Sequence, residues 1–343
     1  WKIKSACDMT SLSSRNNAWS SPIVICPRRG GHAMRTRAAR GCLHCCCCSI
    51  QTDDIISRCC SVCRGKFAAV RKCTHKVTAV EYAAKFIRKR RRAMDQRQDI
   101  LHEVAVLQLS TNSARIVRLH EVYETGTEMA LVLEMAVGGE LQRILDREEA
   151  LEEQQAVRVM KQILEGLNFL HAKNIAHLDL KPQNLLLTGV YPDCDIKLCD
   201  FGISRVIQAG AEVREILGTP DYVGESFIRT ALTLSTLNHL SPEILSYEPI
   251  SLATDIWSVG VLAYVLVSGY SPFAGDTKQE TFCNISQCCL TFPEELFEGV
   301  SDTAKDFIRA TLVTKPRCVP RDQELEKIQG KKWAFQTFRQ LDL

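Results

Sequence analysis

The sequence predicts an α+β protein of two lobes, the first an antiparallel β-sheet with one helix and the second mainly helical. Two observations lead to this fold class. Strand-like segments dominate before residue 135, whereas long helical patterns dominate after residue 138. The Gly138-Gly139 pair between them marks a junction, because glycine pairs favour turns and connections. Residues 61–316 are therefore assigned to one domain, with a first lobe at 61–135 and a second lobe at 138–316.

The first lobe is predicted from apolar segments that are separated by turn residues. One helix is expected over Asp99–Leu109, where Ile100, Val104 and Leu107 recur at helical spacing. The predicted strands cover Phe67–Val70, Thr78–Ile87, Ile116–Tyr123 and Met129–Met135, with a turn at Thr74–Val77.

The second lobe is predicted from two long helical segments and two short strands. Glu152–Ala172 carries an apolar stripe and is expected to be an amphipathic helix, whereas Thr254–Ser268 is apolar almost all round and is expected to be a buried helix. Leu185–Leu187 and Ile196–Leu198 are expected to be strands on either side of a turn at Tyr191–Asp195.

Residues 1–60 differ in composition from the rest of the chain. They carry nine Lys/Arg against three Asp/Glu, a net charge of +6, and they show no hydrophobic period, so we expect them to be largely disordered. Ten of the seventeen cysteines lie in the first 63 residues. Cys42, Cys45, Cys60 and Cys63 come close to a four-thiolate zinc spacing, which leaves a zinc-binding head open as an alternative.

Composition also limits the expected partners and location. The net charge of +3 over 343 residues favours neither nucleic acid nor another strongly charged partner. The longest apolar run, Val259–Val267, is far shorter than the roughly 20 residues of a membrane span, so no membrane association is expected. With no export signal visible, we expect a nuclear or cytoplasmic location. Oligomeric state has no signature in the sequence.

Five residues follow one another along the chain in an order that suits phosphoryl transfer. Lys85 ends a predicted strand, Glu103 lies on the following helix, Asp179 and Asn184 share one loop, and Asp200 stands in an Asp-Phe-Gly sequence. Such chemistry needs a cation on the ATP phosphates, a carboxylate to hold that cation, an acceptor for the substrate proton, and oxygen ligands for Mg²⁺. Each of these residues on its own more often has a structural role. Their common order along the chain is what points to phosphoryl transfer.

This order resembles the protein kinase family. The matching motifs are His177-Leu-Asp-Leu-Lys-Pro-Gln-Asn184, Asp200-Phe-Gly202, Asp255-x-Trp257-x-x-Gly260 and Pro242-Glu243. Four stretches are similar to the death-associated protein kinases, in particular to their apoptosis-inducing subgroup. These stretches are Ala83–Arg92, Leu119–Glu124, His177–Asn184 and Gln279–Gln287.

The resemblance implies a role for each matching residue. Lys85 would pair with Glu103 and the phosphates, Asp179 would be the catalytic base, and Lys181 would steady the transferred phosphoryl group. Asn184 and Asp200 would hold Mg²⁺. The remaining nucleotide-binding positions would be Val62, Gly65, Val70, Ala83, Glu134, Ala136 and Leu186.

The resemblance also implies a substrate class. Lys181-Pro182 and Gly218-Thr219-Pro220 are similar to kinases that act on serine and threonine of proteins, with Thr219 near the acceptor. Glu140 matches a position that binds an arginine upstream of the acceptor, although a helix N-terminal carboxylate is an equal alternative. Leu178 stands where many kinases carry an arginine that pairs with an activation-loop phosphate, which implies activity without that switch.

Three departures from the family pattern suggest a competing interpretation. The phosphate loop keeps only Gly65, with Cys63 at its first glycine position. Seventeen residues, Gly224–Leu240, are inserted where the acceptor peptide should dock. The tail, residues 317–343, is atypical, although Arg317 or Arg321 could pair with Glu243. The alternative is therefore a kinase-fold nucleotide-binding protein or scaffold with impaired catalysis.

Overall fold

The computed structural model describes residues 25–27, 60–64, 68–91, 94–208, 213 and 239–314. The chain separates by its contacts into two compact units. The first contains Trp1–Ile100 and Leu119–Met135, and the second contains Leu101–Arg118 and Ala136–Leu343. The first unit is built on a mainly antiparallel sheet and the second is mainly helical, so the predicted α+β class is confirmed.

A six-stranded sheet forms the first unit, in the order β1-β7-β8-β4-β3-β2. All its neighbouring strands are antiparallel except β1, which pairs with β7 in parallel. A separate hairpin joins β5 to β6. The strands are β1 Ile25–Pro27, β2 Cys60–Arg64, β3 Ala68–Thr74, β4 Glu81–Arg88, β5 Arg90–Arg91, β6 Met94–Asp95, β7 Leu119–Glu124 and β8 Glu128–Glu134.

One face of this sheet is packed as a small core. Because side chains alternate across a strand, every second residue of β4 and β8 faces the same side. Ala84 and Val132 lie opposite each other and are fully buried there, with Cys73, Tyr123 and Ala130 around them. The alternation places Lys85 on the other face of the sheet, together with its pairing partners Val70 and Leu131.

Two strands depart from the sequence-based expectations. Ile25–Pro27 lies in the leader that we expected to be disordered, yet it forms β1, so that expectation is wrong for these three residues. Cys60–Arg64 was not among the predicted strands, and it pairs with β3 as β2. Strand pairing satisfies backbone hydrogen bonds and does not require apolar side chains on both faces.

The basic run at Arg88–Arg91 spans the end of β4 and strand β5. Acidic side chains of the same unit neutralise part of it. Lys89 Nζ lies 2.9 Å from Glu124 Oε1, and Arg88 Nε lies 3.7 Å from Glu128 Oε1. These pairs favour a local structural role for at least two of the charges.

Eight helices are described in the second unit and at its border: α1 Arg97–Leu109, α2 Gln142–Glu148, α3 Glu153–His171, α4 Pro242–Leu245, α5 Ala253–Ser268, α6 Lys278–Gln287, α7 Glu294–Phe297 and α8 Asp302–Thr311. Its strands are β9 Gly139–Glu140, β10 Ile175–Ala176, β11 Leu185–Leu187, β12 Ile196–Leu198 and β13 Arg205–Val206. The helix predicted over Asp99–Leu109 begins at Arg97 and belongs with the second unit from Leu101 onward.

Polar contacts explain why residues 101–118 group with the second unit. Arg115 Nε donates to Glu165 Oε2 at 2.7 Å, and its Nη1 lies 2.7 Å from Asp195 Oδ1. Ile116, expected at the start of a strand, instead forms an isolated bridge with Leu198, and the strand begins at Leu119.

The core of the second unit lies around α5, which is buried on nearly all sides as predicted. Gly260 permits the close approach of α8, because a Cβ there would lie 2.4 Å from Thr311 Oγ1. Among the helices of the described ranges, none combines the length and apolarity that a membrane crossing would need.

Candidate active site

Asp255 anchors the loop that carries the predicted catalytic residues. Its carboxylate is completely buried, on the first turn of α5. Oδ2 accepts hydrogen bonds from the His177 backbone N–H and from His171 Nε2, both at 2.8 Å, and Oδ1 accepts one from the Leu178 backbone N–H, also at 2.8 Å. Hydrogen bonds to a charged acceptor are stronger than neutral ones, so this carboxylate fixes the backbone just before Asp179.

The Asp179 carboxylate is held by two side chains from the same loop. Lys181 Nζ donates to both of its oxygens, at 2.7 and 2.8 Å. Asn184 Nδ2 donates to Asp179 Oδ2 and to the Asp179 backbone carbonyl, both at 2.8 Å. The structure thus brings together the three residues predicted to be catalytic. A carboxylate oriented in this way is suited to accept a proton from a hydroxyl group placed beside it.

The His177 imidazole links this loop to the next strand pair. Nδ1 accepts the Asp179 backbone N–H at 3.2 Å, and Nε2 donates to the Cys199 carbonyl at 3.2 Å. The two contacts together require the neutral form protonated at Nε2. The ring also packs against the buried Phe201 ring, with centroids 5.0 Å apart. His177 therefore fixes the position of Asp179 relative to the Asp200-Phe-Gly202 segment.

Asp200 and Asn184 offer the oxygen donors that Mg²⁺ prefers. The Asn184 carbonyl accepts the Cys199 backbone N–H at 3.0 Å, which ties the two segments together one residue before Asp200. Asp200 has a left-handed backbone with φ of 64°, unusual for a residue with a side chain. Glu103, 3% exposed, also lies near this turn, since a Cβ built on Gly202 would be 3.8 Å from Glu103 Oε2 and 3.4 Å from Asp200 Oδ1. The donor set fits a magnesium ion.

Several predicted nucleotide contacts lie in one row of the sheet in the first unit. Lys85 pairs with Val70 on one side and with Leu131 on the other, and Val70 in turn pairs with Cys63. Directly paired residues share a face, so Val70 and Lys85 point to the same side, as does Ala83 two residues before Lys85. These three residues form an apolar surface with one cation, which suits a nucleotide base and its phosphates.

Glu134 faces the opposite side of the sheet from Val70, Ala83 and Lys85. It pairs with Tyr82, so its side chain faces away from the Lys85 side of the sheet. Only its backbone can take part in a site on that side. Val62 lies at the bulge between Ser61 and Cys63, where the pairing register shifts.

In the second unit, β9 brings together the other predicted binding positions. Leu186 pairs with Glu140 across β11 and β9, and the Ala136 carbonyl accepts the Gly139 N–H at 3.3 Å. Gly138 is required here, because a Cβ would lie 2.1 Å from the Gly189 carbonyl oxygen. Glu140 ends this short strand and directly precedes Leu141, the N-cap of α2, so an arginine contact and a helix N-terminal carboxylate both remain open for this residue.

Other predicted features lie outside the described residues. These are Gly65, Thr219, nearly all of the insertion at 224–240, and Arg317 and Arg321, together with the side chains of the proposed zinc cysteines. Within the described ranges, no group of three or more His, Cys, Asp or Glu side chains is arranged to hold a metal ion.

His239 is a site residue that sequence analysis missed. It lies at the end of the insertion, and its carbonyl accepts a hydrogen bond from Ser258 Oγ at 3.3 Å. Burial, reinforced by the positive charge of Lys181, lowers the pKa of His239 to about 3. The imidazole is therefore neutral at physiological pH. The effect of the Lys181 charge on the pKa of His239 indicates that the end of the insertion lies near the catalytic loop, and no local sequence pattern indicated this proximity.

Comparison with known proteins agrees with this geometry. The protein kinase domain family matches residues 58–320. A Drosophila melanogaster protein named "Death-associated protein kinase related" is 57% identical over 253 residues, which cover 74% of this chain and 35% of that protein. Rabbit (Oryctolagus cuniculus) "Serine/threonine-protein kinase 17A" is 54% identical over 255 residues, covering 74% and 60% of the two chains. Mouse (Mus musculus) "Death-associated protein kinase 2" is 45% identical over 258 residues, covering 74% and 65%.

The chain therefore belongs to the protein kinase family. Its similarity to proteins named as death-associated kinases confirms the finer resemblance drawn from its motifs. Members of this family use ATP and Mg²⁺, and they act on hydroxyl groups of proteins. The chain spans between about a third and two thirds of the length of these relatives.

Proposed function

We propose that this chain transfers the γ-phosphate of ATP to serine and threonine hydroxyls of proteins. The observation that carries the proposal is the Asp179 carboxylate, fixed by Lys181 and Asn184 on a loop that the buried Asp255 anchors. The identity of 45–57% to kinases supports an enzyme over a kinase-fold binding protein without activity.

Three residues of the catalytic loop, Asp179, Lys181 and Asn184, have separate roles in this proposal. Asp179 orients the acceptor hydroxyl and takes its proton as the bond to phosphorus forms. Lys181 lies 2.7 Å from that carboxylate, and its ammonium balances negative charge on the transferred group. Asn184 holds the Asp179 carboxylate in place through its amide N–H, and its amide oxygen stays available as a ligand for a metal ion.

Magnesium and ATP are the groups these residues would hold. Asn184 and Asp200 would bind Mg²⁺, which supplies charge neutralisation on the phosphates. Lys85 would contact the phosphates and Glu103 would orient Lys85. Val70, Ala83 and Leu186 would cover the base.

Glu140 would select substrates with an arginine upstream of the acceptor. Glu140 is a partly exposed residue of β9 and pairs with Leu186 of β11. A guanidinium–carboxylate pair forms two parallel hydrogen bonds, which makes it a selective contact. The proposal extends to signalling related to cell death and to a nuclear or cytoplasmic location. None of the six cysteines whose side chains are described forms a disulfide bond, which suits a reducing compartment.

Transfer of labelled phosphate to peptides tests the proposal. The substrates are a serine peptide with an upstream arginine and matched peptides carrying threonine, tyrosine or alanine at the acceptor. Label should enter the serine and threonine peptides only, and Asp179→Asn should slow transfer at least on the order of a hundredfold. No transfer from the unmodified chain, or equal transfer by Asp179→Asn, would contradict the proposal. Glu140→Gln should lose the preference for arginine without losing activity on a peptide that lacks it.

A further inference from the structure

The leader connects the two opposite edges of the sheet in the first unit. β1, Ile25–Pro27, forms one edge and β2, Cys60–Arg64, forms the other, with four strands between them. Every neighbouring pair from β7 to β2 is antiparallel and β1 is parallel to β7, so β1 and β2 run in the same direction. The 32 residues that join them, 28–59, lie outside the described residues and are assigned to the same compact unit.

This connection has to cross the sheet, because parallel strands of one sheet are joined by a crossover. Neighbouring strands lie about 4.8 Å apart, so the five spacings from β1 to β2 amount to roughly 24 Å. A fully extended chain of that length reaches about 100 Å. Residues 28–59 are therefore long enough to cross a face of the sheet and to cover part of it.

The handedness of crossovers selects the face. Crossovers between parallel strands are right-handed in roughly 98% of cases. β4 and β7 are also parallel, and the chain joins them through α1, in the direction opposite to the step from β1 to β2. Two right-handed crossovers that run in opposite directions lie on opposite faces. The proposed function places α1 on the side of the sheet that bears Lys85, since Glu103 of α1 would orient Lys85. On that basis residues 28–59 cross the other side, which we call the outer face.

The outer face carries aromatic side chains that are only partly buried. Tyr82 and Phe86 pack on the buried centre of this face around Ala84. The Tyr82 ring stacks on His120 with centroids 4.5 Å apart, and the Arg71 guanidinium lies 5.2 Å from the centroid of the Phe86 ring. These rings offer apolar surface to a segment that lies over them.

Two features of the leader fit the outer face. β1 lies at its rim, because Cys26 pairs with Tyr123, which belongs to the buried centre. Residues 41–50 contain no Asp, Glu, Lys or Arg, and they include Leu43, Ile50 and five cysteines. A buried cysteine behaves as a small hydrophobic residue. This stretch can therefore pack on the rings without the cost of burying a charge.

We propose that residues 28–59 cross the sheet on the outer face and that residues 41–50 pack on Tyr82 and Phe86. The outer face is then a docking surface that the chain's own leader occupies, and the leader is a structural part of the first unit. The choice of face rests on the proposed function, whereas the crossing itself follows from the strand order and directions.

Photo-cross-linking on the full chain tests the proposal. p-Benzoylphenylalanine replaces Phe86 on the outer face in one variant, Val70 on the Lys85 side in a second, and Val77, which is 79% exposed between β3 and β4, in a third. The Phe86 variant should cross-link to residues 28–59 at least fivefold more than either control. A leader cross-link that forms mainly from position 70, or none from position 86, would overturn the proposal. Mixing light and isotope-labelled copies identifies the occupant, and cross-links mainly between copies would also overturn it.

Tryptic cleavage at the arginines of residues 28–40 supplies a second readout. Phe86→Ala should speed this cleavage at least fivefold, because it removes a ring on which the leader packs. Leu131→Ala is the matched control, since it removes a fully buried side chain on the Lys85 side and so destabilises the same unit without touching the outer face. It should lower the melting temperature and leave the cleavage rate within twofold of the unmodified chain, below all transitions. An increase for Phe86→Ala no larger than that for Leu131→Ala would contradict the proposal. Neither readout depends on activity, so an inactive chain would refute the proposed function and leave the position of the leader to these data.

Discussion

Asp255→Asn is the substitution whose effect follows most directly from the structure. The carboxylate accepts three hydrogen bonds with no exposure to water. An amide keeps one acceptor oxygen and turns an NH₂ group toward backbone N–H donors, so at least one buried donor loses its partner. That loss costs about 1–3 kcal/mol, and the remaining bonds lose their charge assistance, worth roughly half their strength.

The expected destabilisation is therefore about 3–5 kcal/mol, the range for breaking a buried charged contact. For a domain of this size each kcal/mol lowers the melting temperature by about 2–4 °C, so a fall of roughly 6–20 °C is predicted. Activity should fall as well, because Asp255 sets the backbone before Asp179, and a displacement of about 1 Å can cost on the order of a hundredfold in rate.

Thermal unfolding and kcat would be measured side by side on the folded protein below its transition. Asp276→Asn is the matched control, since it makes the same chemical change at an exposed position. The control should shift the melting temperature by less than about 2 °C. If Asp255→Asn stays within 2 °C and threefold in kcat of the unmodified chain, the anchoring role of Asp255 is refuted.

Three further predictions concern other parts of the chain. Gly138→Ala should destabilise strongly, because its Cβ would lie 2.1 Å from the Gly189 carbonyl, whereas Gly126→Ala, with open space around it, should not; comparison of their unfolding in denaturant checks this. Deleting residues 224–238, which leaves the buried Leu240 and the hydrogen bond between Ser258 and the His239 carbonyl in place, should raise kcat/KM for peptides at least on the order of tenfold, about 1.4 kcal/mol, because we expect the insertion to interrupt the acceptor platform; equal values would show that it is accommodated elsewhere. His239→Gln should flatten the loss of stability between pH 6.5 and 3, because the unfolded imidazole binds a proton in that range and the folded one does not; parallel curves for both proteins would contradict this.

The elements that sequence predicted best are those with strong local patterns. Leu185–Leu187 and Ile196–Leu198 were expected with the boundaries that the structure shows, because each is a short apolar run next to turn residues. The helix expected at Glu152–Ala172 differs by one residue at each end. These elements are determined by residues that are close together in the sequence, so a short segment of sequence is enough to predict them.

The features that sequence missed depend on distant partners. Cys60–Arg64 is a strand because β3 offers it a pairing edge, and nothing in its composition indicates this. Asp255 was recognised only as part of a motif, since its hydrogen-bond partners lie 77 to 84 residues earlier in the chain. Burial near Lys181 keeps the His239 imidazole neutral. The two residues lie far apart in the sequence, so no local pattern indicates this.

The central claim is that Asp179 performs the chemical step of phosphate transfer. Single-turnover kinetics with saturating peptide separates that step from nucleotide binding. We predict that Asp179→Asn leaves the Kd for Mg²⁺-ATP within about twofold, since Lys85, Asn184 and Asp200, the residues assigned to the phosphates and to Mg²⁺, are unchanged in this variant. The rate of the chemical step should fall at least on the order of a hundredfold. An unchanged chemical rate, or a loss that appears only in nucleotide affinity, would contradict the account.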